Sequence, residues 1–184
     1  MRKGLELVDR SSVVLSTKTT KESFDEAKKS LERSLRELGT DYLDIYYLHY
    51  VRAEDLQRRE GALRAMVQAK DEGLVNHIGV STHWNTTVES VIELPEIDVI
   101  MVKLNKIGGM DCSLNDMLKA VERAYSKGKG IVSMKLLAYG DLGVREGLEY
   151  SLSLPFIHSA CIGIRTLQEL EQDVETYRTI VTSQ

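Results

Sequence analysis

Cysteine is scarce in this sequence. The chain contains only two cysteines, Cys112 and Cys161, and their spacing matches neither a zinc motif nor a set of paired half-cystines. The sequence therefore predicts no disulfide framework and no metal site. We expect both thiols to behave as small buried apolar side chains.

Long apolar runs and a surplus of positive charge are also missing. No stretch approaches the roughly 20 residues that a membrane-spanning helix requires, and the opening residues MRKGLELVDR lack the apolar core of a signal peptide. The net charge is −4, with acidic and basic residues interleaved, so we expect neither a nucleic-acid nor a membrane partner. These absences favour a cytoplasmic protein.

The sequence contains enough apolar residues to form one hydrophobic core. The chain has 184 residues, of which 42% are hydrophobic, and we expect a single domain over residues 1–184. Short runs rich in Val, Ile, Leu and Tyr alternate with longer amphipathic segments. Because the short runs show little polar alternation, they are typical of strands covered on both faces of a parallel sheet. The predicted strands are 13–16, 44–48, 77–80, 99–104, 131–137 and 160–164.

The longer segments carry the apolar stripes of amphipathic helices. Gly39 can end the first of these helices in the left-handed conformation. Ser113 is a predicted N-cap, and Thr166 with Glu169 forms a predicted capping box. Further helices are predicted over 54–72, 86–93 and 144–152. Six strand–helix units in a row favour an α/β fold with a parallel sheet.

A polar residue recurs near the carboxyl end of each predicted strand. In a β/α barrel this end is the functional face, and its residues come from several strands. Six such residues in phase predict a site: Lys18, His49, Ser81, Asn105, Lys135 and Arg165. Arg165 and Thr166 also open a helix, whose free N–H groups and dipole favour an anion.

Five segments, taken in order, resemble the aldo-keto reductases. The most specific are LGTDYLDIYYLH, similar to the family's fourth-strand signature, and DEGLVNHIGVSTH, similar to the segment that ends in the cofactor-contacting serine. The resembling segments are 12–18, 38–49, 71–83, 131–140 and 162–174. The resemblance implies a TIM (β/α)8-barrel type of fold. Here the barrel is expected to be incomplete, with about six βα units, because a full barrel typically takes about 250 residues.

The resemblance also implies chemistry. Family members reduce carbonyls by hydride transfer from NADPH, less often NADH, with a tyrosine as proton donor. An aspartate and a lysine tune that tyrosine, and a histidine orients the carbonyl. By this resemblance Lys18 matches the catalytic lysine and His49 the catalytic histidine. The implied cofactor-binding positions are Ser81, Thr82, Met101, Met134, Lys135, Arg165, Thr166, Gln172 and Asp173.

The family's tyrosine and aspartate belong to two βα units upstream of the lysine strand, and this sequence has no counterpart of them. We expect either a truncated reading frame or a shortened protein. The leading hypothesis is an NAD(P)H-dependent oxidoreductase that reduces aldehyde or ketone carbonyls, with an activity that the absence of the family's tyrosine and aspartate could impair. A non-catalytic nicotinamide-nucleotide-binding or regulatory subunit and a Schiff-base chemistry at Lys18 are alternatives. Tyr50 and Tyr139 are weak candidates for a replacement acid, and His83 is a weak candidate for the pocket wall. Six strands would leave two open sheet edges, which predicts a homo-oligomer.

Overall fold

The computed structural model of the chain describes residues 2–108 and 111–182. Six parallel strands form one sheet in which neighbours follow the order of the chain. The strands are β1 (Ser16–Thr19), β2 (Leu43–Leu48), β3 (Val75–Thr82), β4 (Val99–Lys103), β5 (Gly130–Met134) and β6 (Ser159–Cys161). This half-barrel confirms the predicted incomplete (β/α) barrel.

Helices separate the strands. They are α1 (Arg2–Leu5), α2 (Phe24–Leu38), α3 (Glu60–Asp71), α4 (Asn85–Val91), α5 (Leu114–Ser126), α6 (Val144–Ser153) and α7 (Leu167–Thr182). Short 3-10 turns lie at Arg10–Ser12, Ala53–Asp55 and Ala138–Gly140. In the part of the chain that the structure describes, no helix is long and apolar enough to cross a membrane.

Local sequence explains where several helices begin and end. The Ser113 side chain accepts a hydrogen bond from Asp116 N, as the N-cap prediction requires. Gly39 ends α2 at φ 71°, a left-handed conformation that a glycine adopts without steric cost. The predicted helix over 54–72 is wrong at its start, because the chain forms the 3-10 turn first and α3 begins only at Glu60.

Most strand boundaries differ from the sequence pattern: β3 spans Val75–Thr82 rather than 77–80, and β6 spans Ser159–Cys161 rather than 160–164. At the first and fifth strands the cause of the difference can be identified. The first strand lies at Ser16–Thr19 rather than 13–16, because Val13 is only half-buried and Val14 is exposed. The fifth strand stops at Met134 rather than 137, because Lys135 has a φ of +60° that breaks the ladder. Both errors come from reading apolar residues as strand without regard to the backbone conformation.

Apolar side chains pack against both faces of the sheet. The larger core lies between the strands and the helices, and the buried α2 residues Ala27 and Leu31 belong to it. The opposite, inner face of the sheet carries a smaller cluster of Tyr47, Met101 and Met134. This inner cluster lies near the carboxyl ends of the strands: Tyr47 and Met101 are one and two residues before the ends of β2 and β4, and Met134 ends β5. It forms the floor of the functional face.

The two thiols do not follow the prediction of buried apolar side chains. Cys112 is half-buried and Cys161 is exposed. Cys161 ends β6, whose outer edge pairs with no strand among residues 2–108 and 111–182. An edge strand with one uncovered face leaves its thiol open to solvent, which sequence hydropathy does not reveal.

Candidate active site

His49 and Ser81 form the centre of the candidate site. His49 directly follows β2, and its Nδ1 lies 2.8 Å from the Oγ of the fully buried Ser81 in β3. The same Oγ accepts a hydrogen bond of 3.1 Å from Tyr50 N. The geometry is compatible with either direction of the His49–Ser81 hydrogen bond; where the Ser81 hydroxyl donates its proton to Nδ1, the imidazole proton is on Nε2. In this tautomer His49 offers a donor to a carbonyl oxygen.

The backbone of His49 is fixed on both sides. Its N–H donates to Thr19 O at 2.8 Å, and its carbonyl oxygen accepts from Arg59 Nη1 at 2.8 Å. Tyr50, the next residue, has a φ of +55°, an uncommon conformation for a residue with a side chain. These contacts orient the imidazole without involving its Nε2.

The charge state of His49 follows from its surroundings. Burial lowers the pKa of His49, and the nearby cations Lys18, Arg59 and Lys135, together with His83, lower it further. The imidazole is therefore neutral at neutral pH. A neutral histidine keeps one N–H as a donor and does not compete as a cation for an anionic ligand.

Lys18 lies on the inner side of β1 at the same edge. Its side chain is exposed and makes no hydrogen bond or ion pair with any residue in 2–108 or 111–182. Lys18 pairs in register with Tyr47, whose ring lies in the inner cluster. The structure therefore brings Lys18, His49 and Ser81 to one face of the sheet, which Met101, the register partner of Ser81, and Met134 share.

Lys103 is a basic residue that the sequence analysis missed. It ends β4 with only 7% of its side chain exposed, and its Nζ lies 3.7 Å from Asp111 Oδ2. The Nζ atoms of Lys103 and Lys135 lie 5.3 Å and 5.0 Å from the ring centroid of Tyr139. A lysine at the end of an apolar run was a detectable signal, but Asn105, two residues later, was read as the polar end of that strand.

An aromatic wall borders the site. Tyr50 packs edge-on against His83 and Trp84, with ring centroids 4.8 Å and 5.0 Å away. His83 Nδ1 lies 3.1 Å from Asp111 Oδ2, and burial is the largest of the effects that lower the pKa of His83. His83 therefore lies at the same edge of the sheet as His49.

Thr82 and Asn105 are buried with different partners. The Thr82 hydroxyl donates to Val51 O at 2.8 Å and accepts from Trp84 N at 3.1 Å, so its hydrogen bonds are internal. Asn105 is 1% exposed and donates from Nδ2 to Lys135 O at 3.3 Å. Its Oδ1 is buried without a partner in the described parts of the chain. An unpaired buried acceptor at this edge indicates a place for a donor.

The start of α7 forms a separate small cluster. Thr166 Oγ1 accepts from Glu169 N at 3.1 Å, and the Glu169 carboxylate accepts from Arg165 N at 2.7 Å. The carboxylate also pairs with the Arg165 guanidinium at 3.2 Å, although the Arg165 side chain is 88% exposed. An internal anion thus occupies this helix terminus. Gln172 and Asp173 lie further along α7, on exposed and half-buried positions.

No metal centre is formed by the residues that the structure describes, which contain no group of three or more His, Cys, Asp or Glu side chains placed to hold an ion. The described side chains at this edge include a neutral imidazole, a buried hydroxyl, several ammonium groups and two exposed phenols. These groups donate hydrogen bonds and attract anions.

The comparisons with known proteins agree on one family. The model of the Aldo/keto reductase family matches residues 2–177. Methylglyoxal reductase DkgB of Salmonella typhimurium is 31% identical over 138 residues, which are 72% of this chain and 49% of that protein. An aldo-keto reductase of Mycobacterium avium is 34% identical over 88 residues, 47% of this chain and 30% of that protein. The chain thus spans about half the length, or less, of these curated relatives.

Solved structures show the same fold. An aldo-keto reductase from Pseudomonas aeruginosa matches with a TM-score of 0.78 and 25% identity, over 98% of this chain and 72% of that chain. The holo form of an aldo-keto reductase from Bacillus halodurans matches with a TM-score of 0.77 and 19% identity, over 95% and 69%. The family match, the order of the strands and the shared fold together assign this chain to the aldo/keto reductase family.

Proposed function

We propose that this chain binds a nicotinamide dinucleotide at the carboxyl edge of its sheet and takes part in the reduction of a small carbonyl compound. The observation that supports this best is the His49–Ser81 pair, with Nδ1 and Oγ 2.8 Å apart. It leaves Nε2 of a neutral imidazole as a donor for the carbonyl oxygen. Such a donor orients the substrate and stabilises the charge that develops on oxygen during reduction.

The residues present fit such a cofactor at two places. The buried Asn105 Oδ1 lacks a partner within the described residues, which suits an amide N–H such as that of the nicotinamide carboxamide. The exposed guanidinium of Arg165 at the start of α7 suits a phosphate, and this favours NADPH over NADH. When bound, the cofactor supplies the hydride.

The remaining proposed cofactor residues would contact the cofactor between these two places. Met101 and Met134 form an apolar floor on which a flat ring can lie. Ser81 keeps one lone pair beyond the contacts to His49 and Tyr50. Thr82, whose hydroxyl is already bonded internally, would support the shape of this segment rather than donate to the ligand.

The reduction also needs a proton donor, and the residues described so far do not include an assigned one. Tyr50 and Tyr139 are the exposed tyrosines at this edge, and Lys18 stands beside His49 without an acidic partner. Loss of a general acid typically lowers the rate by about 10²–10⁴-fold. If Tyr50→Phe and Tyr139→Phe both leave turnover unchanged, neither phenol is the donor in this chain.

NADPH binding is the first test of this proposal. We expect saturable quenching or enhancement of NADPH fluorescence by the purified chain, weakened in Arg165→Ala and unchanged in Arg178→Ala, an exposed arginine on the same helix. A chain that binds NADPH but turns over neither methylglyoxal, the substrate in the name of one relative, nor the oxo acid pyruvate would support the second candidate function, a non-catalytic nucleotide-binding subunit. The absence of any binding would contradict both.

The open sheet edges support self-association. The strands β1 and β6 each lack a neighbour on one side within the described sheet. The exposed face of α7 adds a continuous apolar stripe: Leu167, Leu170, Val174, Tyr177 and Val181. Their spacing of three and four residues is typical of a helix that packs against another. We expect a homo-oligomer by light scattering, and a monomer at high concentration would contradict it.

A further inference from the structure

Lys103 lies on the inner face of the sheet, next to the methionines that form the floor of the site. It is two residues beyond Met101 on β4, so both side chains point to the inner face, with Lys103 about 7 Å nearer the carboxyl edge. It pairs in register with Met134 of β5. The lysine therefore lies beside Met134 and nearer the carboxyl edge than Met101, next to the two methionines that form the floor.

The ammonium group of Lys103 is poorly compensated. Its side chain is 93% buried, and burying a charge is unfavourable unless partners replace its water. Asp111 is the one carboxylate within 4.0 Å among the residues described, and its Oδ2 is 3.7 Å away, beyond hydrogen-bonding distance. That same oxygen is closer to His83, at 3.1 Å. No hydrogen bond from Lys103 Nζ occurs to any atom of residues 2–108 or 111–182.

A second ammonium group is held next to the first by an unusual backbone. Lys135, Ala138 and Tyr139 have φ values of +60°, +47° and +64°. Three non-glycine residues with positive φ within five positions are costly, and such strain persists mainly where function requires it. The result is that Lys135 and Lys103 approach the same Tyr139 ring, at 5.0 Å and 5.3 Å.

The electrostatic field around Lys103 and Lys135 is positive although the whole chain carries a net charge of −4. Every charged or titratable neighbour that perturbs His49 is basic: Lys18, His83, Arg59 and Lys135. Asp111 is the carboxylate that acts on His83 from the same side, and it is opposed by Lys103 and Lys135. Clefts lined by one sign of charge concentrate ligands of the opposite sign.

We propose that Lys103, assisted by Lys135, binds a carboxylate carried by the carbonyl substrate, so that the preferred substrates are oxo acids rather than neutral aldehydes or ketones. This substrate class rests on the proposed carbonyl site at His49. An incoming carboxylate gives the Lys103 ammonium the short hydrogen bond that Asp111 does not provide. The floor beneath it leaves the rest of the substrate in an apolar environment.

Binding without cofactor tests the inference. The single tryptophan, Trp84, lies 5.0 Å from Tyr50 and 5.7 Å from His83, so its fluorescence reports ligands at this edge. Pyruvate and methyl pyruvate are matched probes that differ in one charge. We expect pyruvate to bind about tenfold more tightly than its ester, a factor typical of a charge-assisted hydrogen bond in a partly buried site.

Three variants make the test specific to Lys103. Lys103→Met, similar in length and apolar, should abolish the preference for pyruvate, whereas Lys103→Arg should retain it. Lys106→Met is the control, because Lys106 lies on the same loop but is exposed and paired with Glu146 at 2.8 Å. If Lys103→Met does not fold by circular dichroism, Lys135→Met should still reduce the preference several-fold.

The possible outcomes distinguish a substrate carboxylate from a cofactor phosphate as the anion that Lys103 binds. Equal binding of the two probes by the native chain, or a preference unaffected by Lys103→Met, would overturn the proposal. So would a loss of NADPH affinity in Lys103→Met with the pyruvate preference intact, since the lysine would then serve the cofactor phosphates. Pyruvate preference in a chain that binds no NADPH would support the carboxylate site while contradicting the proposed reductase function.

Discussion

The guanidinium of Arg59 donates from Nη1 to the carbonyl oxygen of His49 at 2.8 Å. Arg59 is only 7% exposed, has no carboxylate within 4.0 Å among the described residues, and its Nε has no partner there. A buried cation held mainly by one backbone carbonyl is unusual, because an unpaired buried charge is costly. Its position makes Arg59 the residue that links α3 to the conformation of the candidate site.

Removing this cation should alter the titration of His49. We expect Arg59→Met to raise the pKa of His49 towards its ordinary value, because Arg59 is one of the cations that, after burial, hold it down. The measurement is an NMR titration of the imidazole signals. Arg58→Met is the matched control, since Arg58 is exposed and pairs with Glu22 and Asp55 instead. An unchanged His49 titration in Arg59→Met would show that Arg59 has a packing role alone.

Neutralising Glu169 should strengthen NADPH binding. The Glu169 carboxylate accepts from Arg165 N and pairs with the Arg165 guanidinium, so it competes with an external phosphate. The hydrogen bond from Arg165 N is the main reason that the pKa of Glu169 is lowered, so this competitor is charged at neutral pH. We expect Glu169→Gln to lower the Kd of NADPH roughly two- to fivefold, the usual size of a charge effect at a helix terminus.

The control for that variant lies two residues away. Glu171 is exposed on the same helix and makes no ion pair in the described structure, so Glu171→Gln should leave the Kd of NADPH unchanged. Weaker NADPH binding in Glu169→Gln would mean instead that the carboxylate positions Arg165 for the phosphate.

Gly79 should not tolerate a side chain. It is the register partner of Tyr47, and a Cβ at this position would collide with the Tyr47 ring and approach Val99 O to 3.1 Å. We expect Gly79→Ala to lower the free energy of unfolding by about 1–3 kcal/mol, the usual cost of overpacking. Tyr47→Leu in the same chain should recover part of this loss. Gly163→Ala, where a Cβ meets nothing within 4 Å, should be nearly neutral in the same denaturation experiment.

Asp44 should stabilise the edge of the sheet formed by β1, and this stabilisation should depend on pH. Burial opposes its ionisation, but hydrogen bonds from Leu15 N and Arg10, at 2.8 Å and 2.7 Å, outweigh burial and lower its pKa. A depressed carboxyl pKa contributes stability above the unfolded value of about 3.9, and this contribution is lost as the pH falls through the folded value. We expect Asp44→Asn to lower the free energy of unfolding at pH 7 by about 1–3 kcal/mol.

The pH dependence supplies the check on Asp44. The difference in unfolding free energy between the native chain and Asp44→Asn should shrink as the pH falls below about 4. Asp41→Asn, at an exposed neighbouring position, should show no such difference. A constant difference at every pH would mean that the hydrogen-bond geometry of Asp44, and not its charge, is what stabilises the edge.

The sequence was informative where local rules decide the structure. The alternation of apolar runs and helical stripes predicted the parallel sheet, and the register of strand ends predicted that His49 and Ser81 would lie together. It was uninformative where tertiary geometry decides. The position of Lys103 at a strand end was detectable, but its burial next to Asp111 and Tyr139, which come from other segments, was not. Lys135 and Tyr139 adopt a left-handed backbone conformation although neither is a glycine or an asparagine, so the residue types gave no sign of it.

The order of the strands in the sheet equals their order in the chain, and this has a consequence for cooperativity. Each strand pairs with the strands before and after it, and within residues 2–108 and 111–182 no pairing joins β1 to β6, as closure of a barrel would. The molecule therefore behaves like a short linear array of βα units, in which local unfolding starts at the two terminal units. Amide protons of β3 and β4 should exchange most slowly, and those of β1 and β6 most quickly. The candidate site, centred on β2 to β5, occupies the segment of the array that opens last.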